Sequence, residues 1–222
     1  MVSLRMEIPE RDSWPSECCH KIFSLHGRWQ KLSKGDVLFN EGDASSAVYF
    51  LHDGMLGLRK TDRNGRSVLV RLMYPGAFVG QVGCEGRDAH LVGAEALAVS
   101  NVYSVPTATF RGELNRSPGL REWFLGEVAA ELYEAETRIV QLAGYTAKAR
   151  LALFLLELSD GGAPAVRLPL RRHELADYLG IRAETLARVT RRLEETGIAS
   201  FKGQEAVIHD RQALEALSAA AE

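Results

Sequence analysis

Glu184 and Arg188 stand four residues apart in a helical pattern, so their side chains project from the same face. A carboxylate accepts a hydrogen bond from cytosine N4, and a guanidinium donates to guanine O6 and N7. Residues 164–192 contain seven arginines against three acidic residues, a local charge of +4 in a chain of net charge −2. This pattern favours contact with nucleic-acid bases and phosphates. The alternative is a solvated helix whose surface ion pair contributes less than about 1 kcal/mol.

Two short helices joined by a tight turn would position this pair. The apolar residues of 172–193 have the spacing by which two helices pack across a turn at Gly180, a helix-turn-helix pattern. A small hairpin, 198–208, follows, and Lys202 near its tip suits contact with a DNA backbone, although an exposed turn lysine needs no such role. The predicted DNA-binding residues are Arg172, Ala183, Glu184, Thr185, Ala187, Arg188, Arg191 and Lys202.

A long amphipathic helix is predicted over residues 119–145, which contain no proline and extend over about 39 Å as a helix. Its apolar residues recur at steps of three or four: Leu120, Phe124, Val128, Leu132, Ala135, Ile139 and Leu142. Such a helix either lies across its own domain or forms a seam with a second copy of the chain, and we favour the seam, with Phe124 and Ile139 in it. Gly144 can end this helix and Thr146 can cap the next, 147–159, which makes the junction a candidate hinge.

The segment from Gly35 to Gly93 contains ten glycines between short runs of β-branched and aromatic residues. This pattern predicts strands and turns in an antiparallel roll. Asn64-Gly65 is typical of a hairpin turn of type I′, in which both residues have positive φ. The whole chain is therefore predicted to be α+β. It has a β-roll with its leading segment (1–118), a long dimerisation helix with the hinge (119–145) and a winged helix-turn-helix domain (146–222).

Composition excludes several classes of protein. The chain has 222 residues, 46% of them hydrophobic, which is enough for a proper core. No run of about 18 apolar residues occurs, and acidic residues with Trp14-Pro15 interrupt the first 25 residues, so we expect a cytoplasmic protein with no membrane partner. Three cysteines cannot provide four thiolates to one iron–sulfur cluster.

The sequence resembles the CRP/FNR family of transcription regulators from about Lys34 to Leu217. Residues 34–43 (KGDVLFNEGD), 75–81 (PGAFVGQ) and 183–188 (AETLAR) carry the likeness. The resemblance implies a homodimer with an effector-sensing roll of the cyclic-nucleotide-binding type, a dimerising helix and a C-terminal winged helix-turn-helix. It also implies a palindromic operator in double-stranded DNA, an activating role and RNA polymerase as a further partner.

Departures from the family pattern argue against cyclic AMP as the effector. Members that bind cyclic nucleotides have a glutamate after the glycine of the roll motif, where this chain has Gln81. They also have an Arg-Ser pair for the phosphate, and no such pair stands near Ala89-His90. The four-cysteine cluster of the oxygen-sensing members is absent as well, and Arg182 replaces the usual Ser or Thr cap of the reading helix.

Three classes of effector remain open, and a small organic molecule in the roll is favoured. Its candidate contacts are Arg71, Gly80, Gln81, Val82, His90 and Tyr145. Haem is the second class; Val82 occupies the position where a carbon-monoxide sensor of the family has its axial histidine. A redox or metal-sensing thiol site is the third class, with Cys18, Cys19, His20 and Cys84 as candidates.

The sequence gives little support for an enzymatic function. A glycine-rich roll also serves cupin-type metalloenzymes, but these need a His-x-His pair that the sequence lacks. The sequence has no nucleophile elbow and no phosphate-binding loop, so no catalytic activity is expected. Another possibility is a sensor or interaction protein whose second domain no longer binds DNA.

The resemblance implies half-sites closer to TTGAT than to TGTGA, because Ala183 replaces an arginine that reads an additional guanine in the cyclic-AMP-responsive relative.

Overall fold

The computed structural model describes residues 17–81, 89–159 and 162–219 of the chain. The chain divides into two compact units, Met1–Ala129 and Ala130–Glu222. The first unit contains helix α1 (Glu17–His26), strands β1 (Arg28–Leu32), β2 (Val37–Phe39), β3 (Ala47–Asp53), β4 (Leu56–Thr61), β5 (Ser67–Met73), β6 (Phe78–Val79), β7 (Gly93–Ala96) and β8 (Ser100–Pro106), and helix α2 (Thr107–Arg116).

Eight strands form the roll (residues 28–106) as two antiparallel four-stranded sheets, in the orders β1-β8-β3-β6 and β2-β7-β4-β5. Side chains alternate between the two faces of each strand. Leu51 and Val102 therefore join Leu56 in the core that the two sheets share. On the opposite face of the first sheet, Phe50 and Tyr103 pack with α1 and α2. The architecture confirms the predicted antiparallel roll.

The hairpin between β4 and β5 corrects the predicted turn. Gly65 has φ +77°, but none of the non-glycine residues that the structure describes, Asn64 among them, has a positive φ. The Gly65 N–H donates to Asp62 O at 3.0 Å, and the Asp62 N–H donates to Arg66 O at 2.9 Å. This is a type I turn followed by a left-handed glycine, so the type I′ assignment is wrong. Asp62 Oδ1 stabilises the loop because it accepts from the Asn64 and Arg66 N–H groups at 2.8 and 2.9 Å.

Helix α3 (Pro118–Gly144) has 27 residues and confirms the predicted long helix. Its first turns belong to the core of the first unit: Leu120 is fully buried, and the Phe124 ring lies 5.7 Å from the Phe110 ring. Phe124 is therefore a core residue of its own chain, which corrects its assignment to a seam. Farther along the helix large apolar side chains are exposed, among them Leu132 (61%) and Ile139 (65%).

The second unit contains the later part of α3, then helix α4 (Ala147–Leu158), strand β9 (Ala165–Arg167), helices α5 (Arg172–Tyr178) and α6 (Ala183–Glu195), strands β10 (Ala199–Lys202) and β11 (Glu205–Ile208), and helix α7 (Arg211–Ser218). Thr146 caps α4 as predicted, since its Oγ1 accepts from the Ala149 N–H at 3.1 Å. The three strands form a small antiparallel sheet in the order β10-β11-β9. The division into residues 1–118, 119–145 and 146–222 stays a prediction. None of the described helices is both long enough and apolar enough to cross a membrane.

Candidate functional site

Helices α5 and α6 form the helix-turn-helix that the sequence predicts. The Glu174 carboxylate accepts from the Arg171 N–H at 2.8 Å, which satisfies a backbone donor at the start of α5. Gly180 has φ +64° in the turn, and the Ile181 N–H donates to Ala176 O at 2.9 Å. The tight turn therefore depends on a glycine in the left-handed region.

Helix α6 has one buried, mostly apolar face and one exposed face with the predicted reading residues. Leu186, Val189, Thr190 and Leu193 are buried. The other face of α6 exposes Ala183, Glu184, Ala187, Arg188 and Arg191, while Thr185 is half-buried. The ion pairs of the described residues do not include one between Glu184 and Arg188. Both side chains are thus exposed for hydrogen bonds to an external partner.

The start of α6 is also a favourable place for an anion to bind. Arg182 is the N-cap residue, and its side chain makes no capping hydrogen bond, in agreement with the departure noted in the sequence. The first N–H groups of a helix lack partners within the helix, and they carry a partial positive charge that favours phosphate. Glu184, a predicted reading residue, and the N–H groups that could bind a phosphate therefore lie at the same end of α6.

The hairpin β10–β11 forms the wing (residues 199–208), with Lys202 exposed next to Gly203. A contact missed at the sequence level ties the wing to α6: Glu194 Oε1 accepts from the Phe201 N–H at 3.1 Å. A glutamate near a helix end carries no distinctive signal, so only the structure identifies this contact. Arg172 is exposed at the first turn of α5, within the same unit.

In the roll, the structure brings Gly80 and His90 together. A Cβ at Gly80 would lie 3.2 Å from His90 Cε1 and 2.9 Å from Ala47 O, so this position requires glycine. His90 is 4% exposed, and its ring stacks on Phe39 with 3.7 Å between centroids. Burial lowers the pKa of His90, and the negative charge of Asp43 partly opposes that shift.

The remaining predicted effector contacts lie on other elements or outside the described residues. Gln81 is half-buried directly after Gly80, and Val82 lies outside the described residues. Arg71 is half-buried on β5, in the other sheet of the roll. Tyr145 is half-buried between α3 and α4, in the second unit.

A groove of about 240 Å³ on the sheet β2-β7-β4-β5 contains none of the predicted effector contacts. Its lining includes Glu41, Arg59 and Glu95. Arg59 forms an ion pair with Glu95 at 2.9 Å, and Glu41 accepts from the Thr61 N–H at 2.7 Å. These charged groups of the groove therefore already have partners within the protein.

The candidate metal or redox residues do not form a site in the described part of the chain. Cys19 is fully buried on α1, in an apolar core with Phe23 and Phe110. His20 is half-buried beside it, whereas the Cys18 side chain and Cys84 lie outside the described residues. No group of three or more His, Cys, Asp or Glu residues suited to a metal ion occurs among the residues searched.

Comparison with known proteins finds two family models along the chain. A cyclic nucleotide-binding domain matches residues 29–117, and a Crp-like helix-turn-helix domain matches residues 149–217. The transcriptional activator protein FnrA of Stutzerimonas stutzeri is 30% identical over 87% of this chain and 82% of its own length. The nitrogen fixation regulation protein FixK of Bradyrhizobium diazoefficiens is 31% identical over 89% of this chain and 85% of its own. The solved structure of FixK2 from Bradyrhizobium japonicum matches with a TM-score of 0.77 at 28% identity, over 88% of this chain and 99% of its own.

Proposed function

The chain belongs to the CRP/FNR family of transcription regulators, and from this premise we propose that it binds a palindromic operator in double-stranded DNA as an effector-responsive homodimer. The exposed face of α6 carries the proposal, because Glu184 and Arg188 offer there the two groups that recognise a G·C pair. Two of the relatives are named as transcriptional activators, which supports activation through RNA polymerase. A protein that reads operators acts in the compartment that holds the DNA, in keeping with the expected cytoplasmic location.

Selection of duplexes from a random pool tests this function. The full chain should enrich an inverted repeat with a guanine in each half-site, and its affinity should fall steeply with salt because phosphate contacts release counterions. Enrichment of sequences without an inverted repeat would contradict the operator, and no enrichment would favour a sensor that does not bind DNA.

The homodimer is supported by a row of exposed apolar residues along α3. Leu125, Leu132 and Ile139 are all exposed and follow one another at seven-residue intervals. This is the spacing by which two helices bury a shared apolar seam. An apolar row of this kind on a helix facing water would otherwise be an aggregation hazard.

We propose that the effector is a small organic molecule that binds near Gly80 and His90, in the domain that matches the cyclic nucleotide-binding model. Cyclic AMP is disfavoured because Gln81 stands where the family has a glutamate for the ribose. The burial of Cys19 gives no support to a reactive thiol there. An absorption spectrum and a metal analysis of the purified protein test the effector class, and a Soret band or stoichiometric iron would contradict a small organic molecule.

A further inference from the structure

Arg138, near the end of α3, contacts the last residue of α5. Its guanidinium carbon lies 4.1 Å from the centroid of the Tyr178 ring, in a cation–π arrangement. The Nη2 group donates to Tyr178 O, and Nη1 donates to Gln141 Oε1 at 3.4 Å on the same helix. One side chain thus binds both the ring and the backbone carbonyl of the residue that ends the first helix of the helix-turn-helix.

Two further contacts join the same elements. A Cβ added at Gly180 would lie 2.9 Å from Leu142 Cδ2 and 3.3 Å from Arg150 Nη1. Arg150 Nη1, from α4, also donates to Leu142 O at 3.5 Å. The last turn of α3 therefore lies directly against the turn between α5 and α6, and the contacts cross the Gly144 junction that the sequence marks as a candidate hinge.

The chemistry of this contact explains why an arginine is needed. The last carbonyls of a helix lack backbone partners and carry a partial negative charge, so a cation there is favourable. A guanidinium is planar, and it can stack on an aromatic ring while its N–H groups donate in the same plane. A lysine ammonium offers the charge without this combined geometry. Phe154 packs on Tyr178 with 5.6 Å between centroids, which helps to hold the ring in place.

We propose that Arg138 is a positioning residue for DNA recognition: through Tyr178 it fixes the orientation of α5, and hence of the reading helix α6, relative to the later part of α3. This proposal rests on the proposed function, because a fixed orientation matters only if two reading helices must meet two half-sites. While the contact between Arg138 and Tyr178 is closed, the Gly144 junction cannot bend freely. A change of orientation across that junction must first open the contact.

Selectivity for operator spacing tests the proposal. The affinity of the full chain is measured for the selected operator and for versions with one base pair added to or removed from the spacer. Arg138→Ala and Tyr178→Leu should each reduce the preference for the native spacing by about tenfold, because the reading helices can then adapt to a wrong separation. Two controls should retain the wild-type preference: Tyr178→Phe, which keeps the ring, and Arg116→Ala, which removes the same charge from an exposed position on α2.

A loss of stability alone would lower the fraction of active protein and leave the ratio between spacings unchanged. An unchanged ratio in Arg138→Ala and in Tyr178→Leu therefore overturns the proposal, whatever happens to the absolute affinity. Circular dichroism verifies folding, and if one of these variants does not fold, the other decides. Hydrogen exchange of residues 139–146 gives an answer that needs no DNA: Arg138→Ala should exchange there at least about fivefold faster than the wild type. If the wild type binds no operator, the proposed function fails, while this exchange measurement still decides whether the contact restrains the junction.

Discussion

At the scale of the residue, the proposed recognition of bases rests on two side chains of opposite charge. Glu184 and Arg188 are exposed on α6, whereas Ala183 and Ala187 beside them offer only apolar contact. A carboxylate and a guanidinium can together specify G·C at one or neighbouring steps, and an alanine can contact a thymine methyl. We therefore expect the charged pair, rather than the two alanines, to read bases by hydrogen bonds.

Replacing Arg188 by alanine should weaken operator binding by about 1–3 kcal/mol and relax the guanine position. The reason is that a guanidinium donates to guanine O6 and N7, whereas an alanine side chain offers no donor. Affinities for operators with each of the four bases at that position provide the measurement. A guanine preference unchanged in Arg188→Ala would remove Arg188 as its reader.

Arg172 provides the contrast, because it is exposed at the start of α5 rather than on the reading face. Arg172→Ala should weaken binding to all sequences by a similar factor and lower the slope of affinity against salt by about one counterion. Titrations at several salt concentrations, with the operator and with an unrelated duplex, test this expectation. A change in base preference would instead place Arg172 among the residues that read bases.

His90 should make the stability of the roll depend on pH. Burial lowers its pKa below the usual value of about 6.5, so the unfolded chain takes up a proton at a pH where the folded chain does not. The free energy of unfolding should therefore fall as the pH drops below about 6.5. The hydrogen bond from the Thr61 N–H lowers the pKa of Glu41. Protonation of Glu41 should therefore destabilise the fold only below about pH 4.5.

Urea unfolding between pH 8 and pH 5 measures this effect. His90→Phe keeps a ring to stack on Phe39 and should lack the loss of stability in this range. His26→Gln, at an exposed position on α1, should retain the loss. An identical pH profile for His90→Phe and the wild type would show that another group is responsible. The sequence alone points to His90 as a candidate contact, but its stacking on Phe39 arises from residues that are distant in the chain.

At the scale of the element, α3 packs its first turns into the core of the first unit and exposes apolar residues farther along. The apolar spacing in the sequence is the same in both parts. The apolar spacing predicts the helix and its ends to within one residue, because that spacing is a local property. The same spacing cannot tell Phe124, which meets Phe110 in the core, from Ile139, which is exposed. The difference depends on what packs against each turn. The β4–β5 turn is a similar case, since Asn64-Gly65 predicts a hairpin there but not the backbone conformation of Asn64.

Charges placed on the exposed apolar row of α3 should separate the dimer. Leu132→Asp combined with Ile139→Asp is expected to give monomers with much weaker operator binding, because two carboxylates would be buried without partners in the seam. Sedimentation measures the mass, and Thr137→Asp, at another exposed position on the helix, is the control. Phe124→Asp should instead unfold the first unit, because Phe124 is 7% exposed. A dimer that persists in the double variant with full affinity would place the seam elsewhere.

At the scale of the whole molecule, a dimer should present two copies of α6 to DNA about 34 Å apart, one turn of the double helix. Each copy contributes one reading face, so the affinity for the palindrome greatly exceeds that for a single half-site. This expectation combines the family relationship with the exposed row on α3. Neither the second copy nor the DNA can be derived from the contacts of one chain.

Insertion of five base pairs between the half-sites tests the two-copy arrangement. Five base pairs rotate the second half-site by about half a turn to the opposite side of the duplex, where a dimer joined through α3 cannot reach it. The affinity should fall to that of an operator with one half-site. An insertion of ten base pairs returns the second half-site to the same side of the duplex as the first but doubles the distance between them, so binding should stay weak. If either insertion leaves the affinity unchanged, the two reading helices are not held by a common rigid seam, and each copy binds its half-site independently.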